Sequence, residues 1–381
     1  MFPLILGTIG VLVGFGLYRR FARVPEYPRP VRLGIAAVIA ACTGCAVLAL
    51  MMLGGTIDPT PIRWVAWIGM SWVAAVFYLL LGIVITGVIC LGIRLMVPRH
   101  NESPRKVVYR RRRAAFMRIA TPVVIVATAA IVGYGLVRAN DPTTTEVTVA
   151  VEGVPEQFDG MRIAVISDIH AGPIRDEAFT RRVVEMTNAA RPDLVLLAGD
   201  LADGLVRQVG STLAPLAELS APLGVYAATG NHEYISGDTD AWIDTWRSLG
   251  IVPLLNDSAV VERDGAQIRV VGINDPFEDG MDPDAALADT DPSDFIVQIG
   301  HQPAMAEATA GRGVDLQVSG HTHGGQLWPL RYAVLLEQPL IDGVGVVADT
   351  VVVTGRGVGS WGPPVRVLAD PEIPIVTVVG D

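Results

Sequence analysis

Thiols are nearly missing from this chain: three cysteines among 381 residues, Cys42, Cys45 and Cys90, and none beyond. The rest of the sequence therefore holds no disulfide and no thiolate chemistry, even if it lies in a compartment where disulfides form. Acidic side chains are scarce at the start, where the first 140 residues hold 16 Lys+Arg against 3 Asp+Glu. The imbalance then reverses, with 13 Lys+Arg against 36 Asp+Glu in the remainder. No charged residue interrupts the middle of the apolar stretches described below, which argues against a conduit, since transporters and proton relays carry such residues along an interior path. Repeats and low-complexity tracts are missing too, apart from an Asp- and Pro-rich segment over 275–294.

What is abundant is apolar surface. The hydrophobic fraction is 51% and the mean hydropathy +0.43, high for a wholly water-soluble chain. Four apolar stretches lie near 2–18, 33–53, 64–93 and 119–137. A helix crossing the hydrocarbon core needs roughly 20 residues, so the third stretch reads as one span and the total as four. The third falls well short of the roughly 40 residues that two spans require. Arginines cluster in 19–32 and 98–118, whereas the short link 54–63 has Arg63 set against Asp58. Basic loops stay in the cytoplasm, which places both termini and the acidic part outside it. A cleaved signal peptide over 1–18 is the alternative, but positive charge follows this apolar run instead of preceding it. Cys42-x-x-Cys45, a weak metal or redox pattern, reads as two small packing residues inside an apolar helix. His100, in the basic segment, reads as a solvated surface residue. The expected organisation is a multi-pass membrane region over 1–140 and an extracytoplasmic domain over 145–381, in contact with the lipid bilayer. The polar link from Arg138 to Thr145 reaches only about 25 Å fully extended, which keeps that domain near the membrane surface.

The second region alternates continuous apolar runs with an amphipathic segment. Residues 161–167 and 193–198 read as strands covered on both faces. Between them, 176–190 reads as a helix with Phe179, Val183 and Val184 on one side and Arg181 and Arg182 on the other. Further strands are expected at 147–151, 224–228, 268–273, 295–299, 314–318, 344–354 and 374–379. Strand, helix, strand in this order predicts a parallel unit. The whole predicts an α/β fold of two mixed β-sheets in a sandwich flanked by helices.

Each of five runs ends in a polar cluster: Asp168-Ile169-His170, Gly199-Asp200, Gly230-Asn231-His232-Glu233, Gly300-His301 and Gly320-His321-Thr322-His323. Ligands converge beyond the carboxyl ends of strands in α/β sheets. Imidazole, carboxylate and carboxamide groups gathered there suit a pair of Mn, Fe or Zn ions better than Ca or Mg. Singly, each has an ordinary structural reading: Asp168 as a strand-end cap, Asp200, Asp203 and Asn231 as turn residues, His301 as a hydrogen-bonded histidine. Together they point to a metal site. His232-Glu233 also begins the His-Glu-x-x-His pattern of zinc proteases, but Ser236 stands where the second histidine is needed. Trp242, Trp246, Trp328 and Trp361 are candidates for a rim facing membrane or substrate, with ordinary packing as the alternative.

The ordered set Asp-x-His, Gly-Asp-x-x-Asp, Gly-Asn-His-Glu, a single His and Gly-His-x-His resembles the calcineurin-like metallophosphoesterase superfamily. The stretch Gly-His-Thr-His-Gly-Gly-Gln at 320–326, with 356–359 and 362–366, is similar to its membrane-associated bacterial branch. The resemblance covers roughly 147–379. It implies two divalent or trivalent ions, one held by Asp168, His170, Asp200 and His323, the other by Asp200, Asn231, His301 and His321. Asp200 would bridge them through its two oxygens. It further implies a hydroxide bridging the metals as nucleophile and His232 as general acid, with Asp203 and Glu233 orienting His232 or a ligand. The expected activity is hydrolysis of a phosphodiester or pyrophosphate on a lipid-linked or nucleotide-linked phosphoester substrate, and no nucleic-acid partner is expected. Two rival readings are an anchored phosphatase acting on soluble substrates and a non-enzymatic receptor or scaffold that retains the fold.

Overall fold

The computed structural model describes residues 2–96 and 102–381; Arg99 and His100 lie outside them. The chain divides into two compact units, Met1–Met51 with Ile62–Gly135, and Met52–Pro61 with Leu136–Asp381.

The first unit is helical. The apolar stretches form α1 (Phe2–Tyr18), α2 (Arg29–Leu53), α3 (Arg63–Leu95) and the second half of α4 (Glu102–Ala139). Helix α4 starts well before its apolar run, because arginine and lysine are good helix formers and the segment expected as a basic loop continues the helix as far as it is described. Three candidate spans stand among the described residues where four were expected: Arg29–Leu53, Thr60–Leu95 and Lys106–Ala139. Helix α1, at 17 residues, is the shortest of the four. Cys45 lies where α2 meets α3: a Cβ on Gly69 would strike the Cys45 carbonyl, so small residues bring these backbones together.

The second unit is two six-stranded sheets. Its strands are β1 (Thr143–Val151), β2 (Met161–Ile166), β3 (Leu194–Ala198), β4 (Val225–Ala228), β5 (Val252–Pro253) and β6 (Asp257–Arg263). They continue as β7 (Ala266–Ile273), β8 (Ile296–Gly300), β9 (Leu316–Ser319), β10 (Gly343–Val347), β11 (Thr350–Thr354) and β12 (Glu372–Gly380). The first sheet runs β1-β12-β2-β3-β4-β5 and the second β10-β11-β9-β8-β7-β6. Strands β2, β3 and β4 are parallel neighbours, as are β7, β8, β9 and β11. The Val-rich run 344–354 is an antiparallel hairpin and not one strand, since Ala348 turns with φ 54° between β10 and β11.

Burial explains the continuous apolar runs. Leu196 and Ala198 of β3 face Val297, Ile299 and Val318 of the opposite sheet in one core. Val195 and Leu197 face outward and pack with Phe179, Val183 and Val184 of α5 (Glu177–Ala189) in a second. Both faces of β3 are dry, so its sequence shows no alternation. Helix α5 starts where Asp176 accepts a hydrogen bond from Phe179 N, an N-cap. Trp242 and Trp246 are buried in the same outer layer, with Trp242 Nε1 donating to Gly204 O, so neither belongs to an exposed rim. The segment 275–294 is not wholly loop: it contains the short helix Pro283–Ala286, capped by Asp282.

Candidate metal centre

Every cluster singled out above follows the carboxyl end of a strand: Asp168 and His170 after β2, Asp200 after β3, Asn231 after β4, His301 after β8, His321 and His323 after β9. The sheets meet at this edge. His301 Nδ1 donates to Ala198 O of the other sheet at 2.7 Å, a direction set by the carbonyl, which only accepts. Short loops and close approach force unusual backbone. Asp168, His170, Asp200, His321 and His323 all have φ between 48° and 67°. Left-handed backbone at a non-glycine residue costs roughly 1–3 kcal/mol, and it persists where surrounding structure over-determines it. Five of the seven proposed ligands lie in this region, so strain is concentrated at the site. A Cβ at Gly230 would collide with Asp200 N and Oδ1, which is why glycine precedes Asn231.

Three donor groups result: Asp168, His170 and His323; His170, Asp200 and His232; Asp200, His301 and His321, with the donor atoms of each within 4.8 Å of one another. Their nitrogens approach one another closely, and in each pair at most one ring can donate. His170 Nε2 lies 3.2 Å from His323 Nε2, and His301 Nε2 3.2 Å from His321 Nδ1. His301 has its proton on Nδ1, so a neutral ring aims the Nε2 lone pair at Asp200 Oδ2, 3.3 Å away. Positive charge is needed between them. Burial disfavours a charged His301, yet Asp200 outweighs it and raises the pKa well above the usual histidine value. Asp200 is correspondingly held well below the carboxylate range by His301 and His232 against its own desolvation.

Asn231 supplies a further test of fit. Its Oδ1 is buried without a hydrogen-bond partner, which leaves the desolvation cost of that oxygen unpaid unless a donor or cation meets it. The carboxylates, imidazoles and carboxamide fit a cation pair. The geometry of Asp200 differs from the two-oxygen bridge expected: Oδ1 accepts from His232 N at 2.8 Å. Oδ2 alone faces both sides, 3.3 Å from His301 Nε2 and 3.8 Å from His170 Nε2.

The supporting residues sort themselves by contact. Asp203 Oδ1 accepts from His170 Nδ1 at 3.0 Å and His232 Nδ1 at 2.6 Å, so one buried oxygen orients both rings. Glu233 does not touch His232 in this way. Its carboxylate accepts from Gly230 N, Asp200 N and Leu201 N at 2.8, 3.0 and 2.8 Å and holds Asp200 through its backbone. Burial and the Asp200 charge push Glu233 up to about 7 against the pull of those three donors. His232 is partly exposed at the site, where burial disfavours its charge but Asp200 and Asp203 push it up to about 10.

Arg366 was quoted in the sequence only as part of a motif, and its role is tertiary. It is fully buried and donates to His323 O, Gly357 O, Gly359 O and Ala369 O, and from Nη2 to His323 Nδ1 at 3.0 Å. An arginine two residues past a Pro-Pro pair is the one sequence signal that could have marked it.

Comparison with known proteins follows the same lines. The model for calcineurin-like phosphoesterases matches residues 161–325. A transmembrane protein with metallophosphoesterase domain from Danio rerio is 36% identical over 268 residues, 66% of this chain and 61% of that protein. An uncharacterized metallophosphoesterase of Aquifex aeolicus is 30% identical over 244 residues, 61% of this chain and 90% of that one. The chain thus spans about three fifths of the length of the transmembrane relative. A dimetal phosphatase from Danio rerio, solved as a crystal structure, aligns with TM-score 0.37 and 14% identity over 54% of this chain and 90% of its own. Two mixed sheets with a histidine–carboxylate cluster at one strand edge are the arrangement of the metallophosphoesterase fold. The chain belongs to the calcineurin-like phosphoesterase family.

Proposed function

We propose that this protein is a membrane-anchored dinuclear-metal phosphohydrolase that cleaves a phosphodiester or pyrophosphate on a lipid-linked or nucleotide-linked substrate. One observation carries the reading: Asp200 Oδ2 faces nitrogen atoms of both histidine groups, 3.3 Å from His301 and 3.8 Å from His170. Asp168, His170, Asp200 and His323 would hold one ion, and Asp200, Asn231, His301 and His321 the other. Mixed imidazole and carboxylate donors favour Mn, Fe or Zn. Bound ions of this kind lower the pKa of coordinated water to about 7 and neutralise charge on the phosphoryl oxygens.

The chain's own part is positioning and proton transfer. Asp203 fixes His232 through Nδ1, so the ring's second proton sits on Nε2, available to the leaving oxygen. Its raised pKa keeps that proton in place at neutral pH, and falls back when positive charge is added nearby. Purified protein stripped with EDTA is expected to lose hydrolysis of bis-p-nitrophenyl phosphate and regain it with Mn²⁺. Full activity after complete stripping, checked by elemental analysis, would sink the reading.

The sidedness is proposed on the arginines. Four crossings with Arg19–Arg23 and Arg110–Arg113 in the cytoplasm put the catalytic unit outside it. This counts α1 as a crossing: its 17 residues span about 25 Å at 1.5 Å per residue, at the short end for a core of about 30 Å. Alkaline phosphatase fused after residue 145 is expected to be active in a bacterial host; an inactive, well-expressed fusion reverses the orientation.

A further inference from the structure

Beside the metal cluster the second unit exposes large apolar side chains that its fold does not cover: Trp328, Tyr332, Leu336, Trp361 and Leu368, between 45% and 85% accessible. The backbone ties them into one region. Gln326, three residues past His323, donates from Nε2 to Trp361 O, and its Oε1 accepts from Trp361 N. Trp328 N donates to Val367 O and Val367 N to Gln326 O, which sets Leu368 next to this pair. A Cβ at Gly325 would strike the backbone of Arg331, the first residue of the short helix Arg331–Val334 that carries Tyr332.

The same region is fastened to the last residues of α4, all within the second unit. Arg138 donates from Nε and Nη2 to both oxygens of Asp370, at 2.9 and 2.7 Å. Buried Arg175 donates from one nitrogen, Nη2, to Ala139 O at 2.8 Å and to Ser360 Oγ at 2.7 Å, and from Nη1 to Asn140 Oδ1 at 2.6 Å. Ser360 precedes Trp361, and Asp370 lies two residues past Leu368. The apolar run of α4 stops at Val137, so Arg138 marks the level at which a crossing helix leaves the hydrocarbon. The segment clamped at that level is the one that exposes Trp361 and Leu368.

We infer that Trp328, Tyr332, Leu336, Trp361 and Leu368 form a surface that enters the lipid interface around α4 and sets the mouth of the metal cluster against the bilayer. Tryptophan and tyrosine favour the headgroup level, and exposed leucines favour the acyl boundary just beneath. Continuity with the helix exit singles out lipid, and not a second copy of the chain, as the occupant. The inference rests on α4 as a crossing helix and is independent of the substrate.

The test uses full-length protein, one copy per nanodisc, in phosphatidylcholine with phosphatidylglycerol and a doxyl-labelled lipid. Leu336→Cys and Leu368→Cys would each carry bimane in a background with Cys42, Cys45 and Cys90 replaced by alanine. Val260→Cys, on β6 of the far sheet edge, is the exposed control. Bimane at 336 and 368 is expected to be quenched at least about twofold more than at 260, as for side chains seated in the interface. Quenching equal to the control overturns the surface, and so does shielding that arises only with two copies per disc, which would make it a contact between chains. Hydrolysis of bis-p-nitrophenyl phosphate should be unchanged in all three variants. Quenching without turnover of lipid-linked phosphoesters keeps the surface and removes the lipid-linked substrate; the reverse pairing keeps the substrate and removes the surface.

Discussion

Asp200→Asn is expected to lower kcat/KM toward a phosphodiester by on the order of 10²–10³-fold, the scale on which a preorganised electrostatic contact acts. The substitution is close to isosteric. The carboxamide oxygen can still accept from His232 N, and Glu233 still accepts from the N–H groups of residue 200 and Leu201. What disappears is the negative charge on Oδ2, the one atom within reach of nitrogen donors from both histidine groups. The fold should survive, so circular dichroism and gel filtration should match the parent protein. Metal content by elemental analysis should fall from two ions toward one or none, and turnover with it. Unchanged turnover at unchanged metal content would leave the proposed centre without its bridge.

His232→Asn should behave differently. Loss of a general acid lowers kcat by about 10²–10⁴-fold. The size of the loss should depend on the leaving group, because p-nitrophenolate departs without help whereas an alkoxide needs a proton. A series of phosphodiesters with increasingly basic leaving groups should therefore show a steeper dependence of log kcat on leaving-group pKa in the variant than in the parent. Metal content should stay at the parent level, since His170 keeps its hydrogen bond to Asp203 and the Asp168 and His301 groups are untouched. Parallel slopes would remove His232 from the proton-transfer role and leave it as a phosphate contact.

These expectations draw on features of unequal legibility. The strand ends were legible because covered strands leave continuous runs such as Leu194–Ala198, and the polar clusters interrupt them abruptly. The helix after β2 was legible from its two-faced pattern, while its Asp176 cap emerged only in the structure. Charge content misled at α4, where arginines suggested loop but form helix about as readily as leucine does. Tryptophan type misled at Trp242 and Trp246: the residue favours interfaces and cores alike, and only the packing of helix Thr239–Ser248 against the sheet decides between them.

The amino-acid order by itself determined which groups are available and that each stands at a strand's carboxyl end. A strand and its terminating turn are local, and their signals lie within about ten residues. Which atom of each group does what was decided only by tertiary structure. Asp203 reaches His170 across 33 residues, Arg366 reaches His323 across 43, and His321 N reaches Asp168 across 153. Hydrogen-bond direction, ring tautomer and the single shared oxygen of Asp200 arise from those long-range contacts, and no local pattern encodes them.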